Sequence, residues 1–341
     1  MHIFLDETGS FGGVGQFPSP SIVGALIVPD SRLGGLEKKF AKLRKHFPLD
    51  GRGEVKGRSL DEKQVARVVD LLMEHSAIFD AAAIDLGTHT ESGLSAFQAQ
   101  QAEKMTADLT DEHKDTLKAQ VWEARRRFEG FKHPLMVQSI ITFELISRLI
   151  ELSTMYFSTR RPEELGKFVW VIDGKGNLST PTEWEEWWSL VILPFLQTRW
   201  FKKPFGQLPI GDYSHMERFE IDADEWTKEM AGWKEGDLKP IDLNGVLKED
   251  LTFSAAAVPG LELVDIITNA TRRALVGNLQ KSGWVRIPEL MIHRKGGHYI
   301  SLHSLQDDPV LDRPFPYLKT LNAYGRNGRA MLPANLAKKR F

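Results

Sequence analysis

The sequence of 341 residues contains no cysteine. Disulfides, thiolate zinc sites and cysteine nucleophiles are therefore excluded, and any bound metal must use oxygen or imidazole ligands. The sequence also lacks an apolar run long enough to span a bilayer, and no basic, apolar leader precedes the first predicted strand. These absences lead us to expect a cytoplasmic protein with no membrane partner.

An excess of charge of one sign is also missing, because the formal net charge is −2. The protein as a whole does not attract polyanions, so nucleic-acid binding would depend on local basic patches. The basic patches are Lys38, Lys39, Lys42, Arg44 and Lys45; Arg125 to Arg127; Lys202 and Lys203; Arg272 and Arg273; and a basic C-terminal tail, residues 311–341. Taken one at a time, such runs are more typical of solvated helix faces and a frayed terminus.

The hydrophobic pattern predicts an α/β fold. Strands are predicted at residues 3–5, 21–28, 77–86, 167–172 and 216–221, and helices at residues 33–47, 61–75, 90–128, 134–157, 183–200 and 261–276. Glycine and proline residues between positions 12 and 20 join the first two strands as a hairpin. Residues 90–159 are predicted to be a helical insertion, and no element is assigned between residues 222 and 250.

Four carboxylates stand out by their position. They are Asp6 and Asp173 at predicted strand ends, Glu54 after a glycine-broken loop, and Asp265 on the polar face of the last predicted helix. A carboxylate at a strand end costs stability unless a cation or a hydrogen-bond donor compensates it. Singly, each also fits a structural role as a turn former, a cap or an exposed residue. Asp85 and Asp222 end strand-like runs as well, so this position alone does not identify a site.

Taken together, three short motifs resemble a bacterial family called domain of unknown function 3800. The motifs are Asp6-Glu7-Thr8-Gly9, Glu54-Val55-Lys56-Gly57 and Leu261-Glu262-Leu263-Val264-Asp265. The family shows Asp-Glu-Ser-Gly, Glu-x-Lys and Leu-Gln-Leu-Ala-Asp at these places, so Thr8, Glu262 and Val264 are chemically mild replacements. The resemblance spans roughly residues 1–274.

The resemblance implies a ribonuclease H-like mixed sheet flanked by helices, with a helical insertion. Its organisation would be a discontinuous domain of residues 1–89 and 160–310, the insertion at residues 90–159 and the tail at residues 311–341. Asp6, Glu54, Asp173 and Asp265 would be both the metal ligands and the catalytic residues. They would hold two Mg²⁺ or Mn²⁺ ions about 4 Å apart, an arrangement that serves phosphodiester hydrolysis. Lys56, Lys175 and Arg272 would bind the substrate.

Carboxylate oxygens suit this interpretation because Mg²⁺ prefers them, and close carboxylates repel one another until a cation binds. We therefore expect a metal-dependent nuclease or phosphodiesterase acting on DNA or RNA, with a role in defence against mobile DNA that only the family resemblance suggests. Two alternatives stay open. One is a non-catalytic nucleic-acid or partner-binding protein that uses the basic patches, and the other is a hydrolase of a small phosphorylated metabolite.

Other motifs carry less weight. The glycines at positions 9–15 and 174–176 lack the spacing of dinucleotide-binding and phosphate-binding loops, so both of those readings are rejected. The ten histidines are scattered, and only His298 and His303 are kept as minor candidates for a proton shuttle. The tryptophans at positions 184, 187, 188 and 200 have helical spacing and are interpreted as core residues, not as base-stacking platforms.

Overall fold

The computed structural model describes residues 1–175, 181–188, 192–202, 206–222, 239–294, 298–306 and 315–337. Within these ranges, six strands form one mixed sheet in the order β5-β4-β1-β2-β3-β6. The strands are β1 His2–Thr8, β2 Pro20–Val28, β3 Ile78–Asp85, β4 Val169–Asp173, β5 Asp250–Ser254 and β6 Ile300–His303. β1, β2 and β3 form an antiparallel meander, whereas β4 runs parallel to β1, β5 to β4, and β6 to β3.

Helices cover both faces of the sheet. In chain order they are α1 Asp30–Arg44, α2 Glu62–Glu74, α3 Glu91–Thr106, α4 Asp115–Glu129, α5 His133–Ser158, α6 Glu183–Trp187, α7 Leu193–Lys202, α8 Leu243–Lys248, α9 Pro259–Leu275, α10 Lys281–Trp284, α11 Leu318–Tyr324 and α12 Ala334–Ala337. A mixed α/β fold with a helix-flanked sheet is therefore confirmed. None of the helices in the described ranges combines the length and the apolar character that crossing a bilayer requires.

The central strands are apolar on both sides because each face of the sheet belongs to a different core. Ile3 and Leu5 of β1 pack in the cluster that contains α5, while Phe4 between them packs in the cluster that contains α9. Every residue of β2 is buried. Strands covered on both faces read as continuous apolar runs, which is why the sequence revealed them so clearly.

Helix α9 lies unusually close to the sheet. A Cβ atom on Gly260 would come within 2.2 Å of the Phe4 ring, and one on Gly24 within 2.0 Å of the Thr268 hydroxyl. Both glycines therefore permit an approach that a side chain would prevent. The close packing fixes the height of Asp265 above the strand that carries Asp6.

Several predicted elements need correction. The strand predicted at residues 216–221 is wrong, because Ser214–Phe219 forms a 3-10 helix that buries Met216 and Phe219, three positions apart. The helix predicted at residues 90–128 is two helices, α3 and α4. In the region predicted as one helix at residues 183–200, α6 ends at Trp187 and α7 begins at Leu193, with residues 189–191 outside the described ranges.

The predicted insertion and tail both contact the rest of the protein. Helix α5 contributes to the same hydrophobic cluster as β1. In the tail, Tyr317, Leu321 and Tyr324 are buried in the cluster of α9. Residues 311–314 and 338–341 of the predicted tail, like Lys203, lie outside the described residues. The domain boundaries stay a prediction.

Candidate functional site

Asp6 and Asp173 lie side by side near the carboxyl ends of two parallel strands. β1 and β4 pair with Leu5 opposite Ile172, so the two aspartates are the next residues in register. Phe4 and Val171, two positions earlier, pack in the cluster of α9. Alternation along a strand therefore directs both carboxylates to the face covered by α9. Carboxyl ends of parallel strands are where open α/β sheets bind ligands.

Asp265 reaches the same place from α9. Its Oδ2 accepts a hydrogen bond from the Gly57 backbone N at 2.6 Å, and its Oδ1 accepts one from Asn269 Nδ2 at 2.7 Å. Asn269 is itself held by Thr8 of β1, whose hydroxyl donates to Asn269 Oδ1 at 3.0 Å. The charge of Asp265 also raises the pKa of Asp6, so the two carboxyl groups lie near each other. The helix-borne and strand-borne aspartates are thus neighbours.

The loop that carries Glu54 is fastened to α9 by a second acidic residue. Glu262 accepts hydrogen bonds from Arg44 Nε at 2.8 Å and from the Val55 backbone N at 2.8 Å. Arg44 also donates to the carbonyl oxygen of Gly53. The Glu262 side chain is only 5% exposed, so this ion pair is shielded on the Glu262 side. It holds the backbone on both sides of Glu54.

Gly57 completes the docking of this loop. A Cβ atom at this position would lie 2.7 Å from the Ile266 Cα and 2.9 Å from the Asp265 carbonyl oxygen, both of which are backbone atoms of α9. Only glycine lets the loop come close enough for its N–H to reach the Asp265 carboxylate. The absence of a side chain at Gly57 therefore allows the hydrogen bond that orients the Asp265 carboxylate.

The proximity of the acidic groups shifts their pKa values. Burial, followed by the charges of Glu7, Asp265 and Asp173, raises the pKa of Asp6 well above its usual value. Burial and the charge of Glu7 raise the pKa of Asp173 to about 6. Burial also raises the pKa of Asp265, against the opposing effects of the Gly57 hydrogen bond and the Lys56 ammonium. Without a bound cation, full ionisation of the cluster is therefore less favourable than ionisation of isolated aspartates.

The three cations predicted to bind substrate lie in different surroundings. Lys56 Nζ is 2.6 Å from Glu54 Oε2, inside the carboxylate cluster. Lys175 Nζ is 2.8 Å from Glu7 Oε1 and donates to Gln138 Oε1 of α5 at 2.7 Å. Arg272 donates a hydrogen bond to the Pro20 carbonyl oxygen at 2.8 Å. It lies on α9, seven residues after Asp265, which is about 10 Å along the helix axis.

Two further residues of the site lie within the sequence motifs, although no role was predicted for them. Glu7 follows Asp6 and is the largest charge influence on both Asp6 and Asp173. The sequence signal for Glu262 was an acidic residue between the apolar residues Leu261 and Leu263 of a buried helix face. A buried carboxylate in such a setting needs a partner, and Arg44 supplies it.

The donor atoms suit a hard divalent cation, but in this structure they are not arranged as a metal-binding group. Within the described residues, no three carboxylate or imidazole side chains stand together as a ready metal-binding group. Glu54 pairs with Lys56, and Asp265 accepts hydrogen bonds from Gly57 and Asn269. The chemistry fits, since all the donors are carboxylate oxygens and their mutual repulsion favours a cation. Binding would require Glu54 to exchange its partner.

The two histidines kept as minor candidates for a proton shuttle lie away from the carboxylate cluster. His303 is on β6, which β3 and β2 separate from β1, a distance of about 14 Å for three strand spacings. His298 precedes the same strand. The structure therefore gives no support for a proton shuttle by either residue at the cluster. Trp184, Trp187, Trp188 and Trp200 are buried, as predicted for core residues.

No family model, curated protein or solved structure matches this chain. The family resemblance therefore rests on the three motifs alone, and a function has to be argued from the geometry of the carboxylate cluster.

Proposed function

We propose that this protein is a Mg²⁺- or Mn²⁺-dependent nuclease or related phosphodiesterase with a ribonuclease H-like architecture. The observation that carries the proposal is that Asp6 and Asp173 lie side by side on two parallel strands and that Asp265 of α9 lies close enough, with Asp173, to raise the pKa of Asp6. The strand order supports the architecture, because a three-stranded antiparallel meander continues into parallel strands on the side of β1.

Each residue has a distinct part in this proposal. Asp6 and Asp173 supply adjacent carboxylates on the sheet, and Asp265 supplies a third that Gly57 and Asn269 orient. A divalent cation bound there would stabilise charge on a phosphoryl group and activate a water molecule. Glu54 lies at the edge of the cluster, on a loop held by α9, where it can add a fourth carboxylate. A role in defence against mobile DNA rests on the family resemblance alone.

A non-catalytic nucleic-acid or partner-binding protein is the alternative, and the surface charges favour it less. Arg125 pairs with Glu129, and both Arg126 and Arg127 pair with Glu123. Lys39 pairs with Glu74 in the same way. Exposed pairs add little stability, but they reduce the net positive potential that a polyanion would meet.

Substitution of the strand aspartates tests the proposal. Asp6→Asn and Asp173→Asn should each lower cleavage of DNA, RNA or hybrid substrates with Mg²⁺ or Mn²⁺ by about a hundredfold or more, as expected when about 3 kcal/mol of transition-state stabilisation is lost. The measurement is single-turnover cleavage of labelled oligonucleotides. Asp222→Asn is the matched control, because Asp222 also follows a strand-like run yet its side chain is 95% exposed.

Cleavage that is unchanged in both the Asp6 and the Asp173 variant would contradict the proposal. Salt-sensitive binding without cleavage, indifferent to metal, would favour the binding alternative.

A further inference from the structure

The cluster of acidic side chains already contains one cation of the protein's own. The Lys56 ammonium lies 2.6 Å from Glu54 Oε2. Burial opposes its charged form, yet the hydrogen bond to Glu54 and the charges of Asp265 and Asp173 raise its pKa overall. Lys56 is therefore drawn to three of the four carboxylates proposed to hold metal.

The backbone on either side of Lys56 cannot move easily. Val55 N donates to the buried Glu262, and Gly57 N donates to Asp265. The backbone at Lys56 is extended, with φ −108° and ψ 129°, so Glu54 and Lys56 project to the same side. A change in the Lys56 contact therefore comes from side-chain rotation, and the Lys56 side chain, at 36% exposed against 12% for Glu54, has the easier route to solvent.

The contact between Lys56 and Glu54 opposes metal binding at the same carboxylate. An Oε2 atom that accepts a charge-assisted hydrogen bond from an ammonium group is a weaker ligand for a divalent cation than a free one. The two cations also repel each other at such short range. Lys56 and a metal ion must therefore compete for Glu54.

We propose that Lys56 is a resident cation, which holds the metal-free site together and leaves Glu54 when a divalent cation binds. The inference rests on the proposed function, and it changes the role predicted for Lys56 from the sequence. Lys56 is a positioning residue in the metal-free state, and its ammonium is released towards solvent, where a substrate phosphate would approach, only after metal has bound. Metal binding and phosphate binding are thereby coupled through one side chain.

Lys175 provides the matched comparison. It also pairs with a glutamate of a family motif, at 2.8 Å from Glu7 Oε1, but its other contacts are Gln138 and the ring of Trp184 on the α5 side. Removing the Lys175 charge leaves the Lys56 contact with Glu54 in place. Comparing variants of the two lysines therefore distinguishes competition for Glu54 from the effect of losing one positive charge near the site.

The test is isothermal titration of the full chain with Mn²⁺ in the absence of substrate. Lys56→Met should bind Mn²⁺ at least about tenfold more tightly than wild type, while its melting temperature without metal falls because the acidic groups lose their counter-charge. Lys56→Arg retains the cation and should bind Mn²⁺ as wild type does. Lys175→Met removes a charge beside Glu7 but vacates no proposed metal ligand, so it should strengthen Mn²⁺ binding by a clearly smaller factor than Lys56→Met.

Each result has one meaning. Unchanged or weaker Mn²⁺ binding by Lys56→Met, beside clear binding by wild type, overturns the inference and leaves the proposed function standing. An absence of Mn²⁺ binding by both wild type and the variant overturns both. If Lys56→Met does not fold without metal, Lys56→Gln is titrated in its place. This variant keeps a polar contact to Glu54 and should also bind Mn²⁺ more tightly than wild type.

Discussion

Asp173 is the residue whose pKa links the site most directly to pH. Its folded pKa of about 6 lies above the usual value of 3.8. Between these values the folded state binds more protons than the unfolded state, so the free energy of unfolding falls as pH rises through this window. Below pH 3.8 the Asp173 carboxyl does not affect the free energy of unfolding, and above pH 6 it lowers that free energy by its full amount.

We therefore predict that the metal-free protein melts at a lower temperature at pH 7.5 than at pH 5, and that Asp173→Asn reduces this difference. At pH 7.5 the variant should be more stable than wild type by about 1 kcal/mol, since a pKa unit corresponds to about 1.4 kcal/mol and solvent screens part of the effect. Thermal melts in chelator at a series of pH values provide the measurement.

Asp222→Asn, which changes an exposed carboxylate, should reproduce the wild-type pH profile. Parallel profiles for wild type and Asp173→Asn would show that the Asp173 carboxylate is not destabilised by folding. The prediction would then fail even if cleavage depends on this residue.

At the scale of elements, the loop between α1 and α2 depends on α9 for its position. Glu262 joins Arg44 at the end of α1 to Val55 of the loop. Breaking a buried ion pair by removing one partner costs about 3 to 5 kcal/mol, and less where one partner reaches solvent, as Arg44 does. The loop should therefore lose its fixed position before the sheet is affected.

We predict that Glu262→Ala lowers the free energy of unfolding by about 2 to 3 kcal/mol. It should also weaken Mn²⁺ binding, because Glu54 would no longer be held beside the cluster. Chemical denaturation and Mn²⁺ titration of the same preparation measure the two effects. Glu74→Ala breaks the exposed pair with Lys39 and should change neither. A stable Glu262→Ala variant with wild-type affinity would show that the loop is held by other contacts.

The elements that could be predicted from sequence are those with a strong apolar pattern. β2 was predicted at residues 21–28 and is Pro20–Val28, and α9 was predicted at residues 261–276 and is Pro259–Leu275. The edge strands were missed for a physical reason. β5 is five residues with no buried side chain, and β6 is four residues, so pairing with β4 and β3 defines them more than their own composition does.

The site was predictable to a different extent. Asp6 and Asp173 follow from two apolar runs that lead into aspartate, provided that the strands are parallel neighbours. The prediction that Asp6 ends its strand was wrong, because β1 continues to Thr8 in its pairing with β2. The contact of Asp265 with Gly57 depends on how closely a loop packs on a helix, which no local pattern reports. The Glu54 to Lys56 ion pair was within reach of the sequence, because residues two apart in an extended segment share a side.

At the scale of the whole molecule, the C-terminal segment is part of the core. The Tyr317 hydroxyl donates to the buried Asp85 at 2.7 Å, and Tyr317, Leu321 and Tyr324 pack with α9. Asp85 is thus a structural residue, although it ends a strand as Asp173 does. Its Oδ1 also accepts hydrogen bonds from Ser19 N and Gly87 N.

We predict that removing residues 315–341 lowers the melting temperature by several degrees or more, because each buried apolar side chain contributes about 1.5 to 3 kcal/mol. Lys319→Ser, which removes an exposed charge from the same segment, should leave the melting temperature unchanged. Differential scanning calorimetry distinguishes the two. Equal melting temperatures for the shortened and full-length chains would contradict the packing. Nucleic-acid binding by this segment is therefore better tested by charge substitutions than by truncation.

The position of Asp6 on the first strand and Asp265 on a late helix has a consequence for biosynthesis. As the chain leaves the ribosome, β1, β2 and β3 emerge before α9 and can pair locally, whereas α9 emerges only after β4 and β5. An unfinished chain therefore carries at most part of the acidic centre.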